Sequence, residues 1–515
     1  MATSDTSPMS ERDEIAALKA RIAILEEQLR LATVKQFAPK SEKLASLAQL
    51  DLFNEAEALA AKPDEQAQAS EIEVPAHTRS ALAKRKPIDA SLPRVRVEHD
   101  LPETAKMCPC GCALTRIGEV TSEQFDLVPA RAQVLQHVRF KYACRSCEGT
   151  SHEGSAVVTA PLPAQPIPKS NASPSLLAHV TTSKFVDGLP LYRQEGILAR
   201  YLISVSRTAL AAWMIKLGDL VTPLINLMHE AQLAYDILQM DETSVQVLKE
   251  DGRPATAKSF MWVRRGGAPR QRIILFDYAA TRAGSVPMQI LEDYKGYLQS
   301  DAYSAYDKPG RRDGVKHIGC LDHARRKFVE AVKAQHAVVG AERGLSPQAL
   351  LIIRKIYAIE KLARDAGMTP DERHRLRQEK ARSIWDELRM WLDRNRHATP
   401  PQSLTGKAIN YLADEWPRLI RYLEDGRLEV SNVLCENAIR PFVVGRKAWL
   451  FSDTPAGAHA SAKLYSIVET VKAAGLEPYA YLRHIFEKLP QAVTLADIEA
   501  LLPWNVDTAA LKSTR

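Results

Sequence analysis

The chain has 515 residues, 45% of them hydrophobic and 25% charged, which excludes a disordered or fibrous polymer and allows several domains with cores of their own. A net charge of +7 with a pI near 8.9 permits a polyanionic partner. No uncharged apolar run reaches the ~20 residues that span a bilayer, and the opening MATSDTSPMSERDEI has neither a basic start nor an apolar core, so a cytoplasmic protein with no membrane partner is expected. In that compartment seven cysteines read as metal ligands or buried thiols rather than disulfides.

Residues 1–45 form the first expected region. Ile15, Leu18, Ile22, Leu25, Leu29 and Ala32 fall on one helical seam, and Glu14–Lys19 and Arg21–Glu26 would attract across a parallel pair of such helices. A short self-association helix, and hence a homo-oligomer, is expected; an amphipathic helix packed on its own chain has the same pattern. Residues 46–95, Ala-, Glu- and Gln-rich and then basic and Pro-containing, read as a linker.

Residues 96–160 carry MCPCGC and YACRSC. Cys144 and Cys147 have zinc-knuckle spacing, and two of Cys108, Cys110 and Cys112 complete a four-cysteine Zn2+ site. Between the clusters VLQHVRFKYAC alternates. Val138, Phe140 and Tyr142 are expected to face a small core, leaving His137, Arg139 and Lys141 on a basic face suited to DNA. Residues 161–232 read as helical, with YLISVS separating two amphipathic segments and Ser206 placed to cap the second, above Leu210 and Trp213. Two short helices and a tight turn suggest a helix-turn-helix DNA-binding segment.

From residue 233 the texture changes. YDILQMDETSVQVL, KSFMWVRRGG and QRIILFDYA are β-branched runs at hairpin spacing; a helical PMQILEDYKG precedes two more strands, GYLQSDAYSAY and VKHIGCLDH. Three strands, a helix and then alternation predict a mixed sheet covered by helices. Residues 233–322 form the first part of that core, 323–430 a helical insertion, 431–475 the second part, and 476–515 a C-terminal helical segment.

Asp241 and Asp301 each follow an apolar strand run, and two strand ends that finish in Asp put two carboxylates in one cleft, where repulsion is relieved by protonation or a cation. A third acid, Glu436, sits in the apolar NVLCENAIRP, on a helix expected to be capped by Ser431 and ended or kinked at Pro441. Three carboxylates would suit a pair of Mg2+ ions acting on a phosphodiester. A surface bridge from Glu436 to Arg440, four residues on, is the alternative.

GYLQSDAYSAYD, HARRKF, SNVLCENAIRPFVVGRKAWLFSDTPAGAHASAKLYSIVETVKAAGLEPYAYL and SEQFDLVPARAQVLQHVRFKYACRSC together resemble the transposases of the insertion sequence 66 family. The N-terminal zipper with its KSEKL and SPSLLAHVTTSKFVDGLPLYRQEGILAR extend the resemblance over nearly the whole chain.

The resemblance implies a multidomain α/β protein. A ribonuclease-H-like DDE catalytic domain, split by the helical insertion, would stand behind the coiled-coil helix, the zinc ribbon and the helical DNA-binding segment. It implies Asp241, Asp301 and Glu436 as the triad holding Mg2+ or Mn2+, cleavage at transposon terminal inverted repeats, and joining of the 3′-OH to target DNA. Cys320 and His323 resemble a Cys-x-x-His pair of many DDE enzymes; His323 is assigned beside the scissile phosphate and Cys320 reads as a buried thiol. Arg440, Arg446 and Lys447 would hold DNA phosphates. The family's elements usually encode two small accessory proteins, which are further potential partners, and a bacterial, nucleoid-associated location follows. Ser431-Asn432 stands where the family commonly has Asp-Asn, and CPCGC where CPxCG is commoner. A related nuclease that cuts without joining, and a non-catalytic DNA-binding regulator, are the other readings.

Overall fold

The computed structural model describes residues 11–37, 94–96, 124, 131–143, 157–335, 344–508 and 511. The chain divides into two units, Pro63–Gln136 and the remainder. Of the smaller, the described stretches have no regular secondary structure; the fold below is that of the larger. All five cysteines of the predicted zinc site (Cys108, Cys110, Cys112, Cys144 and Cys147) lie outside the described residues.

The heptad segment is a helix, Glu11–Phe37, and its two faces do different things. Ile15, Leu18, Ile22, Leu25 and Leu29 are all exposed, so the seam has no partner among the described residues. The opposite face lies against helix Leu321–Gln335. On that face Glu27 is buried, and its carboxylate accepts from the backbone N–H of Leu404 at 2.9 Å. The anion thus sits at the start of helix Leu404–Leu419, where unpaired N–H groups and the helix dipole favour it.

The alternating segment is a strand only over Lys141–Ala143 (β1), antiparallel to Val157–Thr159 (β2). Val138, Phe140 and Tyr142 are each about two-thirds exposed, so the expected small core on that face is not formed among the described residues. The cations share the exposure, although Arg139 Nε donates to Ala160 O at 2.6 Å.

Helices Pro174–Phe185, Leu191–Arg200, Arg207–Leu220 and Thr222–Leu233 follow. Ser206 caps the third as expected, accepting from Ala209 N at 3.3 Å. Leu210 and Trp213 are buried against the main core, which leaves Arg207, Ala212 and Lys216 outward. No single described helix is long and apolar enough to cross a membrane.

A five-stranded mixed sheet follows: Ile237–Gln246 (β3), Lys258–Gly266 (β4), Ile273–Ala279 (β5), Gly296–Gln299 (β6) and Val315–Ile318 (β7). Its order is β5-β4-β3-β6-β7; the first three strands are an antiparallel meander, and β6 and β7 run parallel to β3. The edge strand β5 is covered by helix Pro455–Ala473. Ser466 Oγ accepts from Phe276 N at 2.7 Å, and Thr470 Oγ1 accepts from Ile274 N at 3.0 Å, so edge N–H groups are satisfied by side chains.

Between β7 and the segment at Val430 the chain builds the predicted helical insertion, with a core of its own around Phe328, Ile353, Trp385 and Leu412. Its departure and return are stitched together: Leu321 N donates to Val430 O at 3.1 Å and Gly319 N to Arg418 O at 3.2 Å. Arg377, 1% exposed, donates to the carbonyls of Tyr422, Asp425 and Leu428 and to Glu360, so the returning chain is locked before the helix that packs on the sheet.

The last major segment differs from expectation in two ways: Asn432, not Ser431, stands at the N-cap of helix Val433–Trp449, and Glu436 is in its first turn, not its middle. Of the two outcomes expected at Pro441, ending does not occur, since the helix continues through it. Proline removes one hydrogen bond, yet the buried face of Ala438, Phe442 and Gly445 holds the helix on the sheet across that gap. It stops at Leu450, where Phe451 N donates to Trp449 O at 2.9 Å around a residue with φ of 67°.

Candidate active site and metal centre

Strand register brings the two aspartates together. β3 and β6 are paired through Gln239 and Gln299, and two residues further on each chain stands an aspartate. Asp301 lies just beyond the end of β6, as expected. Asp241 does not end its strand: β3 continues to Gln246, paired with β4 throughout, and only the parallel neighbour stops. The two glutamines are a buried ladder under the carboxylates. Gln239 Nε2 donates to Gln299 Oε1 at 2.8 Å, Gln299 Nε2 donates to Glu429 O at 2.8 Å, and Arg265 Nη1 donates to Gln239 Oε1 at 3.1 Å. This ladder fixes the β3–β6 register and reaches the chain just ahead of the glutamate helix. Sequence reasoning missed it, although Gln-x-Asp occurs at both strands.

Asn432 ties the helix itself to β3. Its Nδ2 donates to Met240 O at 2.8 Å and its backbone N–H to Cys320 Sγ at 3.2 Å. Glu436, one turn on, lies near enough for its charge to act on Asp241. Its ion pair is with Arg326, Nη2 to Oε2 at 2.5 Å, rather than with Arg440, which is exposed. Arg326 is itself held by buried Asp322, Nε to Oδ2 at 2.7 Å. The other glutamate oxygen, Oε1, is buried without a hydrogen-bond partner and faces His323 Nδ1 at 3.8 Å, which also lacks one.

The electrostatics agree with that convergence. Burial, then the charges of Glu242, Glu436 and Asp301, push the Asp241 carboxyl well above the usual carboxylate range. Asp241 Oδ1 accepts from Glu242 N at 2.8 Å, and Asp301 Oδ1 from Tyr303 N at 3.0 Å, which aims each carboxylate. Glu242, a fourth acid, is already satisfied by Arg282 Nε at 2.8 Å and Tyr306 Oη at 2.5 Å. An unbalanced cluster of oxygens, one of them unpaired, is the donor set that hard divalent cations take.

Of the other predicted residues, Arg440 and Lys447 are exposed on the glutamate helix, on one stripe with Val444. Arg446 is half-buried, and its Nη1 donates to Thr243 Oγ1 at 3.2 Å and Ser244 Oγ at 3.4 Å on β3. Cys320 is buried, as expected of an inert thiol, but it lies with His323 and Glu436 in one group of donors within 4.8 Å of one another.

Residues 169–460 match the family described as the Transposase IS66 family. Residues 105–148 match the zinc-finger binding domain of transposase IS66, 466–504 the IS66 C-terminal element, and 24–97 the family described as Transposase C of IS166 homeodomain. Similar proteins occur in Sinorhizobium fredii. Uncharacterized protein y4jD is 32% identical over 78% of each chain, and y4qI is 31% identical over 83% of this chain and 78% of its own. A third, y4hP, is 28% identical over 95% of this chain and 89% of its own.

Proposed function

The chain belongs to the IS66 transposase family, and from that premise we propose that it cuts the ends of a transposon and joins them to target DNA with Asp241, Asp301 and Glu436 as its metal-binding triad. The observation that best supports this reading is the β3–β6 register, which sets Asp241 and Asp301 on neighbouring strands, with Glu436 near enough for its charge to raise the Asp241 carboxyl. The strand order, an antiparallel meander followed by two parallel strands, supports a ribonuclease-H-like catalytic core.

Divalent ions, when bound, would supply Lewis-acid polarisation of the phosphate and a stronger nucleophile. The chain's own part is positioning. Two carboxylates on paired strands and one at a helix start, all braced by Gln239, Gln299 and Asn432, hold a fixed geometry without rearranging during the reaction. His323, 29% exposed, is in reach of a phosphate oxygen beside Glu436. Arg440 and Lys447 continue outward along the helix as phosphate contacts, which set register but read no sequence. Recognition of terminal inverted repeats is assigned to the helices from Leu191 to Leu220 with exposed Arg193, Arg200 and Arg207, aided by His137, Arg139 and Lys141 and by a zinc ribbon. The exposed heptad seam would pair two copies so that both ends are held together, in the cytoplasm and on the nucleoid.

The test is cleavage and strand transfer of an oligonucleotide bearing the element's end. Asp301→Asn should abolish both in Mg2+ while leaving end binding intact. Cleavage without transfer by the unaltered protein would favour a nuclease instead, and unchanged cleavage in the variant would overturn the triad.

A further inference from the structure

We propose that Cys320, His323 and Glu436 form a second metal site, an open three-donor site for a borderline-soft transition ion of the Zn2+ class. One sulfur, one imidazole nitrogen and one carboxylate oxygen lie within 4.8 Å of one another. Mg2+ takes oxygen donors in octahedral geometry and has no use for a thiolate. Zn2+ takes S, N and O at about 2.0–2.3 Å, which places tetrahedral donors about 3.2–3.7 Å apart. The His323 Nδ1 to Glu436 Oε1 separation of 3.8 Å is already close to that, and too long for a hydrogen bond.

Two further observations point to an ion there. Glu436 Oε1 and His323 Nδ1 are both buried, both without a hydrogen-bond partner, and aimed at each other; buried polar atoms in native proteins are almost always satisfied. Cys320 Sγ receives the backbone N–H of Asn432 at 3.2 Å, a donor of the kind that steadies a metal-bound thiolate. The outer shell is built as well. Arg326 holds Glu436 by Oε2 alone and leaves Oε1 for the ion, and Asp322 holds Arg326. Three protein donors leave a fourth position for water.

Glu436 also belongs to the triad proposed above; the metal binding proposed here does not rest on that reading.

The full-length protein and its Cys320→Ser variant, each first given enough Zn2+ to fill the N-terminal cysteines, are titrated with Co2+. The unaltered chain should take up one equivalent more than the variant, with sulfur-to-cobalt charge-transfer absorption in the difference spectrum. Zn2+ should remove that absorption and Mg2+ should not. His323→Gln should weaken the site at least tenfold, and serves as the comparison if Cys320→Ser fails to fold. Asp301→Asn should keep the cobalt signal in full while losing cleavage. Equal Co2+ uptake by the unaltered chain and a folded Cys320→Ser, or loss of the signal in Asp301→Asn, would overturn the assignment.

Discussion

Removing the guanidinium that holds the third carboxylate should cost stability in a way that depends on that carboxylate. Arg326 pairs with Glu436 at 2.5 Å and with Asp322 at 2.7 Å, and the two acids are 17% and 4% exposed. Breaking a buried pair costs about 3–5 kcal/mol because a charge is left uncompensated. Arg326 is 38% exposed, however, and water screens part of the loss, so about 2–3 kcal/mol is expected for Arg326→Ala. Hydrogen exchange of peptides covering 433–449 reads the opening free energy of that helix directly. In a cycle with Glu436→Gln, a coupling of about 2 kcal/mol is expected. Adding Mg2+ should restore more protection to Arg326→Ala than to the unaltered chain, since a cation then replaces the missing charge. Additivity of the two substitutions within about 0.5 kcal/mol, with no Mg2+ effect, would refute the idea that Arg326 carries Glu436 into the cleft.

Other consequences are as direct. His317 is 3% exposed and its imidazole is pushed down to about 3, first by burial and then by the Arg418 charge. A base with a depressed folded value contributes stability above its unfolded value near 6.5 and loses it as pH falls, at about 1.4 kcal/mol per pH unit. Urea midpoints should therefore drop between pH 6.5 and 5, and His317→Gln should flatten that slope. Leu450 holds φ at 67° on an exposed turn, so Leu450→Gly should raise thermal stability by about 1 kcal/mol; a fall would mean that its side chain contributes more than the strain removes. Arg440→Ala and Lys447→Ala should each reduce the salt slope of DNA binding by about one. Arg446→Ala should leave the slope alone and loosen the helix on β3 instead.

The parts of the fold written in local pattern were legible before any coordinates. The β3–β4–β5 meander followed from β-branched runs at hairpin spacing, and Glu436 stood out as an acid in an apolar segment. What failed was wherever a distant partner overrides a local signal. DETSVQ reads as the polar end of a strand, yet it stays in the sheet because Lys258–Gly266 pairs with it throughout and Arg446 satisfies Thr243 and Ser244. Pro441 reads as a stop or a kink, and the helix continues past it because packing of Ala438, Phe442 and Gly445 offsets the one hydrogen bond lost. Glu436 was weighed against Arg440, four residues away, because i,i+4 pairs are visible in one dimension. Its partner proved to be Arg326, 110 residues distant. The Cys320–His323 pair lacked a third donor for the same reason: Glu436 joins it only after the insertion folds back.

That order of arrival has a consequence in time. In the proposed triad, Asp301 precedes Glu436 by 135 residues, roughly 7–27 s of synthesis at about 5–20 residues/s. Throughout that interval the growing chain would hold two of the three proposed acids, but no means of completing the cut. On that reading the insertion is also a delay in synthesis, and the residues beyond it do more than supply the last acid: helices Pro174–Phe185 and Arg207–Leu220 pack on helix Pro455–Ala473, so a product that ends short of Val433 lacks the surface on which those helices settle.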